Sequence, residues 1–379
     1  MKRIPIIVAC LGLLGACVDE PGPEPGAPTD VVDAKGNRWR LRGPATLAAD
    51  GSLDPADAVA ARAPDVPSSD AERAASLRPV VFFDGNEYEL DASDDEILAR
   101  YAAIEAQGRA GGAPGAPDDR ARPDERGPQG VVAGTDDRIP IGYANVRYYP
   151  SSAVGVSVSM TRAPYWEAGG TDACTLTMIG PSTAISAAHC FYRPNVGWHP
   201  VKSWAFGVSS LFGAGRNLAY PTTTGCYWVT IPSGATTSRS PYYDYAVIEF
   251  SNSQAPTCNL FPGYAVGWYG WWTASDEQIE NTNVRINGYP SPAPAGSFVW
   301  PSEFTQGDYR GALRVDGSRY LLRFDLDVTG GNSGSGLAQE LFAPGDRYVT
   351  GIVVGEAETN WGRRLDATVR DFVLAYSAL

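Results

Sequence analysis

Three polar residues of this chain, His189, Asp244 and Ser333, occupy settings that suit nucleophilic chemistry. Ser333 lies among glycines in the octapeptide TGGNSGSG (residues 329–336). Glycines on both sides of a serine allow backbone N–H groups to turn towards one reacting oxygen, as an oxyanion hole requires. Taken alone, the octapeptide fits an ordinary glycine-rich turn equally well.

The surroundings of the other two residues indicate an acid–base pair. His189 ends the apolar run TAISAAH, and Asp244 lies in YYDYAVIEF. A strand that delivers one histidine to its end suits a general base held on a rigid element. A carboxylate among aromatic residues is costly unless it accepts hydrogen bonds, for example from an imidazole. A structural histidine and an aspartate at a strand start are the alternatives.

The order His189, Asp244, Ser333 separates the fold classes that use such a triad. The chain has two histidines, His189 and His199, and both precede Ser333. An α/β-hydrolase needs its histidine after the nucleophile and is excluded. Subtilisin order requires an aspartate before the histidine, within a parallel α/β pattern that this sequence lacks. The chymotrypsin-type order remains, and His199 is interpreted as a surface or turn residue.

The elements that would position these residues are short strands. Apolar or alternating runs are separated by Gly, Pro and Asn turns at 154–160, 174–179, 246–250, 284–286, 320–322 and 348–354. Repeated strands of this length predict a β-sandwich or a β-barrel. One helix is predicted at the end, over Asp366–Tyr376, because its apolar residues recur with helical spacing.

The stretches ISAAHC, YDYAVI and TGGNSGSG resemble the three catalytic motifs of the trypsin-like serine proteases. The bacterial branch that includes the glutamyl endopeptidases is most similar, since it typically has GNSGS where the animal enzymes have GDSGG. VVAGTDDR resembles a mature start, and NWGRRL resembles the stretch before the final helix. The resemblance covers residues 131–379. It implies an all-β fold of two six-stranded antiparallel barrels, closed by a C-terminal α-helix, with the active site between the barrels.

The resemblance also implies roles for individual residues. Ser333 would be the nucleophile, His189 the general base and then acid, and Asp244 the residue that orients the imidazole. The N–H groups of Gly331 and Ser333 would form the oxyanion hole, and no metal or organic cofactor is needed. Asn332 replaces the aspartate that pairs with the new amino terminus in animal enzymes, so activation by that salt bridge is not implied.

The residues assigned to the substrate pocket are Asp327, Val353, Val354, Gly355 and Glu356. Glutamyl-specific relatives carry a His in a Gly-Ile-His run after the nucleophile, and Val353 takes that position here. A neutral wall offers nothing to a buried carboxylate, so Glu is not expected as the preferred P1 residue. Asp327 and Glu356 favour Arg or Lys, whereas the apolar wall favours an apolar or aromatic residue.

Beyond the N-terminal segment the chain has four cysteines: Cys174, Cys190, Cys226 and Cys258. An even number in an exported chain predicts two disulfides. Metal binding is disfavoured because there is no CxxC pair and there are two histidines in all. The resemblance pairs the first two cysteines, closing the histidine loop, and the other two, which bracket Asp244, are paired with each other.

The N-terminus predicts export. A basic start is followed by an apolar run too short to span a bilayer, which indicates a signal peptide over residues 1–17. Leu14–Cys17 resembles a bacterial lipobox, which predicts a lipid anchor on Cys17, and an ordinary signal peptide is the alternative. The expected locations are the cell envelope, as a lipid-anchored precursor, and the outside of the cell after processing.

The region before the protease motifs is interpreted as a tether (18–37), a small α+β propeptide module (38–107) and a linker (108–130). The module contains a hairpin that turns at Asp84-Gly85 and a helix that begins with a capping box, Ser93 with Glu96. The linker is rich in Gly, Pro and charge, and such segments are exposed and readily cleaved.

A maturing cut of this zymogen is expected in the linker, before Val131 or after Arg126. It would free residues 131–379, the protease domain, from the propeptide and from any lipid anchor.

The net charge of −13 lies mostly in the first third, because residues 18–130 carry −11 and residues 131–379 carry −4. No basic cluster indicates nucleic acid as a partner. The expected partner of this monomer is a peptide or protein substrate. A catalytically silent binding module on the same fold and an esterase or other acyl transferase are the alternatives. Retention of all three triad residues disfavours the first of these.

Overall fold

A computed structural model describes residues 29–33, 35–47, 66–83, 85–115, 139–140, 149–159, 173–199, 201–207, 218–220, 227–251, 261–290, 307–326, 328, 330–355 and 360–379. In the N-terminal region the strands are β1 (Asp30–Val32), β2 (Arg38–Pro44), β3 (Pro79–Phe83), β4 (Asn86–Leu90) and β5 (Gly111–Gly112). The helices are α1 (Asp70–Leu77), α2 (Asp94–Ala106), α3 (Gly234–Thr237), α4 (Pro262–Val266), α5 (Asp276–Glu280) and α6 (Ala367–Tyr376).

In the described residues after 115, strands are the main regular structure. The first half of this part of the chain contains β6 (Ile139–Pro140), β7 (Val154–Ser159), β8 (Ala173–Met178), β9 (Thr183–Ser186), β10 (Tyr192–Arg193), β11 (Gly197–Trp198), β12 (Val201–Phe206), β13 (Leu218–Tyr220), β14 (Trp228–Pro232) and β15 (Ala246–Glu249). Its second half contains β16 (Gly270–Trp272), β17 (Val284–Gly288), β18 (Gly307–Gly311), β19 (Arg314–Val315), β20 (Leu321–Phe324), β21 (Gly336–Gln339), β22 (Tyr348–Gly355) and β23 (Asn360–Arg364). Each of the six predicted strand runs coincides with one of these strands within three residues at either end.

The strands form two large sheets: the strands of the first half, apart from β6 and the separate β10–β11 pair, belong to one, and those of the second half together with β6 belong to the other. The first has eleven strands in the order β1-β2-β4-β3-β14-β15-β9-β8-β7-β12-β13. The second has ten strands. Eight of them follow the order β19-β20-β23-β22-β21-β17-β18-β6, β16 pairs with β22, and β5 pairs with β16. The predicted all-β, two-barrel class with a C-terminal helix is confirmed. Each sheet exceeds six strands, in part because strands from residues 30–112 join both of them.

The N-terminal region contains the predicted hairpin and helix, whereas β1 lies within residues 18–37, which were predicted to be a disordered tether. β3 and β4 form a hairpin whose turn carries Gly85 at φ +74°. The hydroxyl of Ser93 accepts from the Glu96 N–H (3.3 Å), and the Ser93 N–H donates to the Glu96 carboxylate (2.7 Å). This reciprocal cap begins α2, which buries Ile97 and Tyr101.

The predicted linker begins later than residue 108. Gly111–Gly112 form β5, which pairs with β16 at Trp271 and Trp272. A Cβ at Gly111 would lie 2.0 Å from the Trp271 carbonyl oxygen, so only glycine permits this approach. The composition suggested disorder because glycine is also typical of linkers, but these glycines are selected by a close backbone contact.

The described residues contain two apolar cores. The larger is shared by the first sheet, the N-terminal region and α6, and includes Trp39, Tyr101, Trp228 and Tyr376. The smaller lies in the second sheet and includes Ile286, Leu322, Phe324, Leu337 and Val353. Full burial of a side chain of this kind contributes about 1.5–3 kcal/mol. Within the described residues, no helix is long and apolar enough to cross a membrane.

The final helix is capped as its sequence suggests. Asp366 is the N-cap of α6, and its carboxylate accepts from the Val369 N–H (3.1 Å). The apolar face that predicted the helix, including Phe372 and Tyr376, is buried against the first sheet and α2.

Candidate active site

His189 lies on a short 3₁₀ turn, Ala188–Cys190, directly after the buried strand β9. The predicted disulfide between Cys174 and Cys190 is present, with an S–S distance of 2.11 Å. It joins the turn to β8, so the histidine is fixed from both sides of its loop. Cys17, Cys226 and Cys258 lie outside the described residues.

Asp244 makes two contacts with His189. Its Oδ2 lies 2.7 Å from the His189 Nδ1, and its Oδ1 accepts from the His189 backbone N–H at 2.9 Å. The aspartate follows a 3₁₀ turn, Pro241–Tyr243, that is capped by the Ser240 side chain, and it is 4% exposed. One carboxylate therefore orients both the ring and the backbone of the histidine.

The electrostatics of this pair favour a basic imidazole. Burial of His189 favours its neutral form, but the charge of Asp244 and its hydrogen bond outweigh that effect, and the pKa of His189 is raised above its ordinary value. A raised pKa strengthens the imidazole as a proton acceptor. With Nδ1 engaged by the carboxylate, Nε2 is the ring nitrogen left for a nucleophile.

Ser333 lies in a tight turn between two glycines with positive φ, Gly331 and Gly334, both at +89°. Backbone hydrogen bonds hold the turn to β8. The Thr175 N–H donates to the Ser333 carbonyl oxygen (2.8 Å), and the Thr175 hydroxyl donates to the Gly331 carbonyl oxygen (2.8 Å). A single residue of the first sheet thus positions the serine turn of the second half.

Gly334 is required by space as well as by conformation. A Cβ there would lie 2.1 Å from both the Ser186 hydroxyl and the Thr175 carbonyl oxygen. Ser186 is the last residue of β9, the strand that leads to His189. The absence of a side chain therefore lets the serine turn approach the strand that carries the histidine.

Thr175 and Ser186 were missed by sequence reasoning. The sequence marks these two residues only by their closeness to Cys174 and His189. The residues that they contact at the serine turn lie about 150 positions away along the chain.

Arg363 is a further residue that sequence reasoning did not single out. It is fully buried, forms an ion pair with Asp366 (2.9 Å) and donates to the Tyr242 carbonyl oxygen (2.8 Å). Its guanidinium also stacks over the rings of Tyr242 and Tyr245, at 4.9 and 5.6 Å from their centroids. These tyrosines flank Asp244 in the sequence, so Arg363 fastens the aspartate loop to the second sheet.

The pocket predictions are partly within the described structure. Val353 and Val354 are both buried and belong to different apolar cores, as successive residues of a strand should. The Gly334 N–H donates to the Val353 carbonyl oxygen (2.8 Å), so this strand lies against the serine turn. Gly355 ends β22, and Asp327 and Glu356 lie outside the described residues.

His199 is not the surface residue that was expected. It is 4% exposed, and its N–H donates to the Phe191 carbonyl oxygen (2.7 Å). That bond folds the segment back onto the histidine loop, which buries the ring.

Among the described residues, one group of three could offer metal-ligand atoms close together: Cys174, His189 and Cys190. The two sulfur atoms are bonded to each other, and the His189 Nδ1 is engaged by Asp244. A disulfide supplies no thiolate, so this group does not fit a metal.

Comparisons with known proteins concern the sequence and the fold of the chain. No family model matches the chain. It is 31% identical over 208 residues to a glutamyl endopeptidase of Bacillus licheniformis, covering 54% of this chain and 53% of the relative. It is 26% identical over 234 residues to an extracellular metalloprotease of Bacillus subtilis, covering 62% and 66% respectively. The match thus spans less than two thirds of either relative.

A solved structure of a Glu endopeptidase in complex with MPD aligns with a TM-score of 0.50 and 20% identity, over 64% of this chain and 98% of that one. At this identity the alignment concerns the fold, which is that of the predicted chymotrypsin-like class. The sequence match and the shared fold confirm the resemblance: over about half of its length the chain is similar in sequence to a glutamyl endopeptidase, and its fold is similar to that of a Glu endopeptidase.

Proposed function

We propose that this chain is an exported serine endopeptidase that cleaves peptides or proteins through an acyl-enzyme. The observation that carries the proposal is the double contact of Asp244 with His189, on a turn that follows β9, the strand packed against the glycine turn that bears Ser333. Neither a histidine nor a glycine-rich turn is specific alone, but their convergence from residues more than 140 positions apart is.

The chemistry follows from these positions. The Ser333 hydroxyl attacks the substrate carbonyl carbon while the His189 imidazole takes its proton, and the C–N bond breaks as the imidazolium returns that proton to the leaving amine. Water then repeats the sequence on the ester and frees the acid product. Asp244 stabilises the imidazolium, and the N–H groups of Gly331 and Ser333 would bind the developing oxyanion.

The direct test is covalent labelling by a fluorophosphonate. Ser333→Ala should abolish labelling and lower peptide hydrolysis by about 10⁴-fold or more. Ser335→Ala is the matched control, because Ser335 lies two residues away and its hydroxyl is fully buried. Labelling that survives in the Ser333 variant would refute the nucleophile, and a wild-type protein that does not label would favour the silent binding module.

The name of the Bacillus subtilis relative raises a metal-dependent alternative. The described residues do not support it, because the one candidate ligand group is a disulfide and an engaged histidine. We expect prolonged chelation to leave peptide hydrolysis unchanged. Loss of hydrolysis on chelation, with recovery on zinc addition, would favour the alternative.

The preferred P1 residue follows from the wall of the pocket. Val353 lies in the apolar core beside Leu326 and Val328, and its strand is bonded to the serine turn. An apolar wall cannot compensate the desolvation of a carboxylate, so we propose that Glu is not preferred at P1. Values of kcat/KM for matched peptides with Glu, Arg and Phe at P1 test this, and a clear preference for Glu would refute it. Matched ester substrates would separate the endopeptidase from an esterase.

We also propose that the chain is made as a precursor with a signal peptide over residues 1–17 and a lipid anchor on Cys17. The maturing cut lies in the part of the linker after residue 115, before Val131 or after Arg126. Mass spectrometry of the exported protein would locate both processing sites.

A further inference from the structure

The N-terminal module, defined as the described residues between 29 and 115, contacts the remainder of the chain at several separate places, among them the four that follow. We propose that it is a lasting subunit of the mature enzyme, which stays bound after the linker is cut. The proposal rests on the linker cut proposed above. It differs from the expectation drawn from the sequence, in which the cut frees residues 131–379.

The first contact is a shared sheet. β3 pairs with β14 through Pro79–Phe83 and Trp228–Pro232, and the paired residues are almost completely buried. Removal of β3 would expose this edge of β14 together with its apolar side chains. An exposed apolar edge strand is a site for aggregation or for addition of another strand. The module is therefore the partner that covers this edge of β14.

The second contact is an aromatic cluster. Trp39 is 1% exposed and packs edge-on against Trp228 (5.8 Å) and Tyr376 (6.1 Å), and Tyr101 packs against Tyr376 (6.3 Å). The Lys35 ammonium donates to the Leu374 carbonyl oxygen at the end of α6 (2.6 Å). Half of this cluster belongs to the module and half to the protease part, so separation would open the larger core.

The third contact involves Trp198 of β11, in the segment that follows His189. The Trp198 indole N–H donates to the Glu87 carboxylate (2.7 Å), and the ring of Phe82 lies 5.4 Å from that of Trp198. The Trp198 N–H donates to the Thr46 carbonyl oxygen (2.7 Å). Trp198 is 1% exposed, and this burial depends on the module.

The fourth contact reaches the second sheet. β5 pairs with β16, and Gly115 and Trp268 exchange two backbone hydrogen bonds of 3.0 and 2.7 Å. A Cβ on Gly115 would lie 2.1 Å from the Trp268 ring. The end of the module is thus seated by close backbone approach, ahead of the residues where the cut is proposed.

Together these contacts describe a structural partner. They involve β14, β11, α6 and β16, and none of these elements contains His189, Asp244 or Ser333. A segment that acted only as a removable inhibitor would need to cover the site, whereas this one joins both sheets through buried aromatic residues. A cut after residue 115 breaks none of the four contacts.

The test uses the full chain with a recognition sequence for a site-specific protease placed within residues 116–138. After complete cleavage, we expect both fragments to elute together in gel filtration, to appear in equal amounts by mass spectrometry and to separate in denaturant. The melting midpoint should rise with protein concentration after the cut and not before it, as for any two-chain complex. Elution of the protease fragment alone and folded, with a midpoint independent of concentration, would overturn the proposal.

A pair of glycine variants sharpens the test. Gly115→Ala forces a methyl group into the Trp268 ring, so the module should dissociate at least tenfold more readily from the cut protein. Gly317→Ala is the control, because nothing lies within 4 Å of its Cβ position and its φ is ordinary. Equal dissociation for both variants would show that the contact of Gly115 with Trp268, next to β16, does not hold the module in place.

Fluorophosphonate labelling of the same samples keeps the two proposals apart. A labelled protease fragment without the module refutes retention and leaves the proposed function intact. A complex that elutes together but does not label refutes the proposed function and supports retention.

Discussion

The two halves of the candidate site are held in different ways. His189 and Asp244 are fixed in the first sheet by a charged side-chain contact, and a second buried carboxylate, Glu249, lies on the strand that follows Asp244. Ser333 is fixed in the second half mainly by backbone hydrogen bonds and by the conformation of Gly331 and Gly334.

The difference matches the task that we propose for each half. A general base gains and loses a proton during the reaction. Its orientation is therefore set by a nearby negative charge, which interacts more strongly with the protonated imidazole. A nucleophile and its oxyanion donors must keep fixed positions. They are therefore held mainly by backbone hydrogen bonds and backbone conformation, and less by mobile side chains. We therefore expect pH and charge substitutions to act on the first half, and added volume to act on the second.

The largest effect is expected for Asp244→Asn. An amide cannot stabilise the imidazolium or enforce the tautomer, so kcat/KM at neutral pH should fall by about 10⁴-fold. His189 must be neutral to accept a proton, and Asp244 raises its pKa, so wild-type activity should rise with pH through that raised pKa. In the variant this limb should move to lower pH. A loss below tenfold would contradict the assigned role.

A smaller loss is expected for Gly334→Ala. The new methyl group meets Ser186 and Thr175 and displaces the serine turn, and a shift of about 1 Å can cost on the order of 10²-fold in rate. Gly345→Ala is the control, since Gly345 has the same φ of +89° but nothing within 4 Å of its Cβ position. Similar kcat values for both variants would show that strain, rather than contact with β9, dominates.

Arg363→Lys tests a buried charged residue that connects the two halves. Lysine lacks the planar fork of N–H groups with which Arg363 donates to Asp366 and to the Tyr242 carbonyl oxygen. Hydrogen bonds to charged groups contribute about 1.5–3 kcal/mol, and we expect a loss of that order in the free energy of unfolding together with a roughly tenfold lower kcat.

Arg323→Lys, on the neighbouring strand, provides the control. Its partly exposed pair with Asp316 should be worth no more than about 1 kcal/mol. If the two substitutions cost the same, Arg363 does not hold the aspartate loop.

The smallest expected effect is on stability alone. Burial raises the pKa of Glu249 to about 7, despite hydrogen bonds from Thr183, Ser182 and the Ala378 N–H and the nearby charge of Lys35. The folded state therefore keeps a proton that the unfolded state loses near pH 4.5. Stability should fall as pH rises from about 4.5 to 7, by up to about 3 kcal/mol, and then level off.

Urea unfolding at pH 5 and pH 8 measures this difference. In Glu249→Gln it should shrink, leaving the part that comes from His189, whose raised pKa also gives stability at low pH that is lost as pH rises through it. An unchanged difference would show that Glu249 does not titrate in this range.

Sequence patterns predicted the features that are encoded locally. The three motifs, the cap of α2, the hairpin turn and the face of α6 each depend on residues fewer than ten positions apart, and the structure contains the corresponding strands, turns and helices. The Cys174–Cys190 disulfide followed from family resemblance and is also present.

The missed features depend on distant partners. Thr175 and Gly331 are 156 residues apart, and β3 and β14 are separated by about 150. No periodicity marks such pairs. Gly111 appeared to belong to a linker because its reason, the carbonyl oxygen of Trp271, lies elsewhere in the chain. His199 was expected at the surface or in a turn for the same reason, because nothing near it in the sequence indicates which residues cover it.

The seating of the module on both sheets has a consequence for where the enzyme can work. Eleven residues, 18–28, separate Cys17 from Thr29, the first described residue. A chain of that length spans at most about 40 Å. With Cys17 lipidated and the module retained, cutting the linker would activate the protease without releasing it. Its substrates would then be limited to proteins that come within reach of the tethered enzyme at the membrane surface.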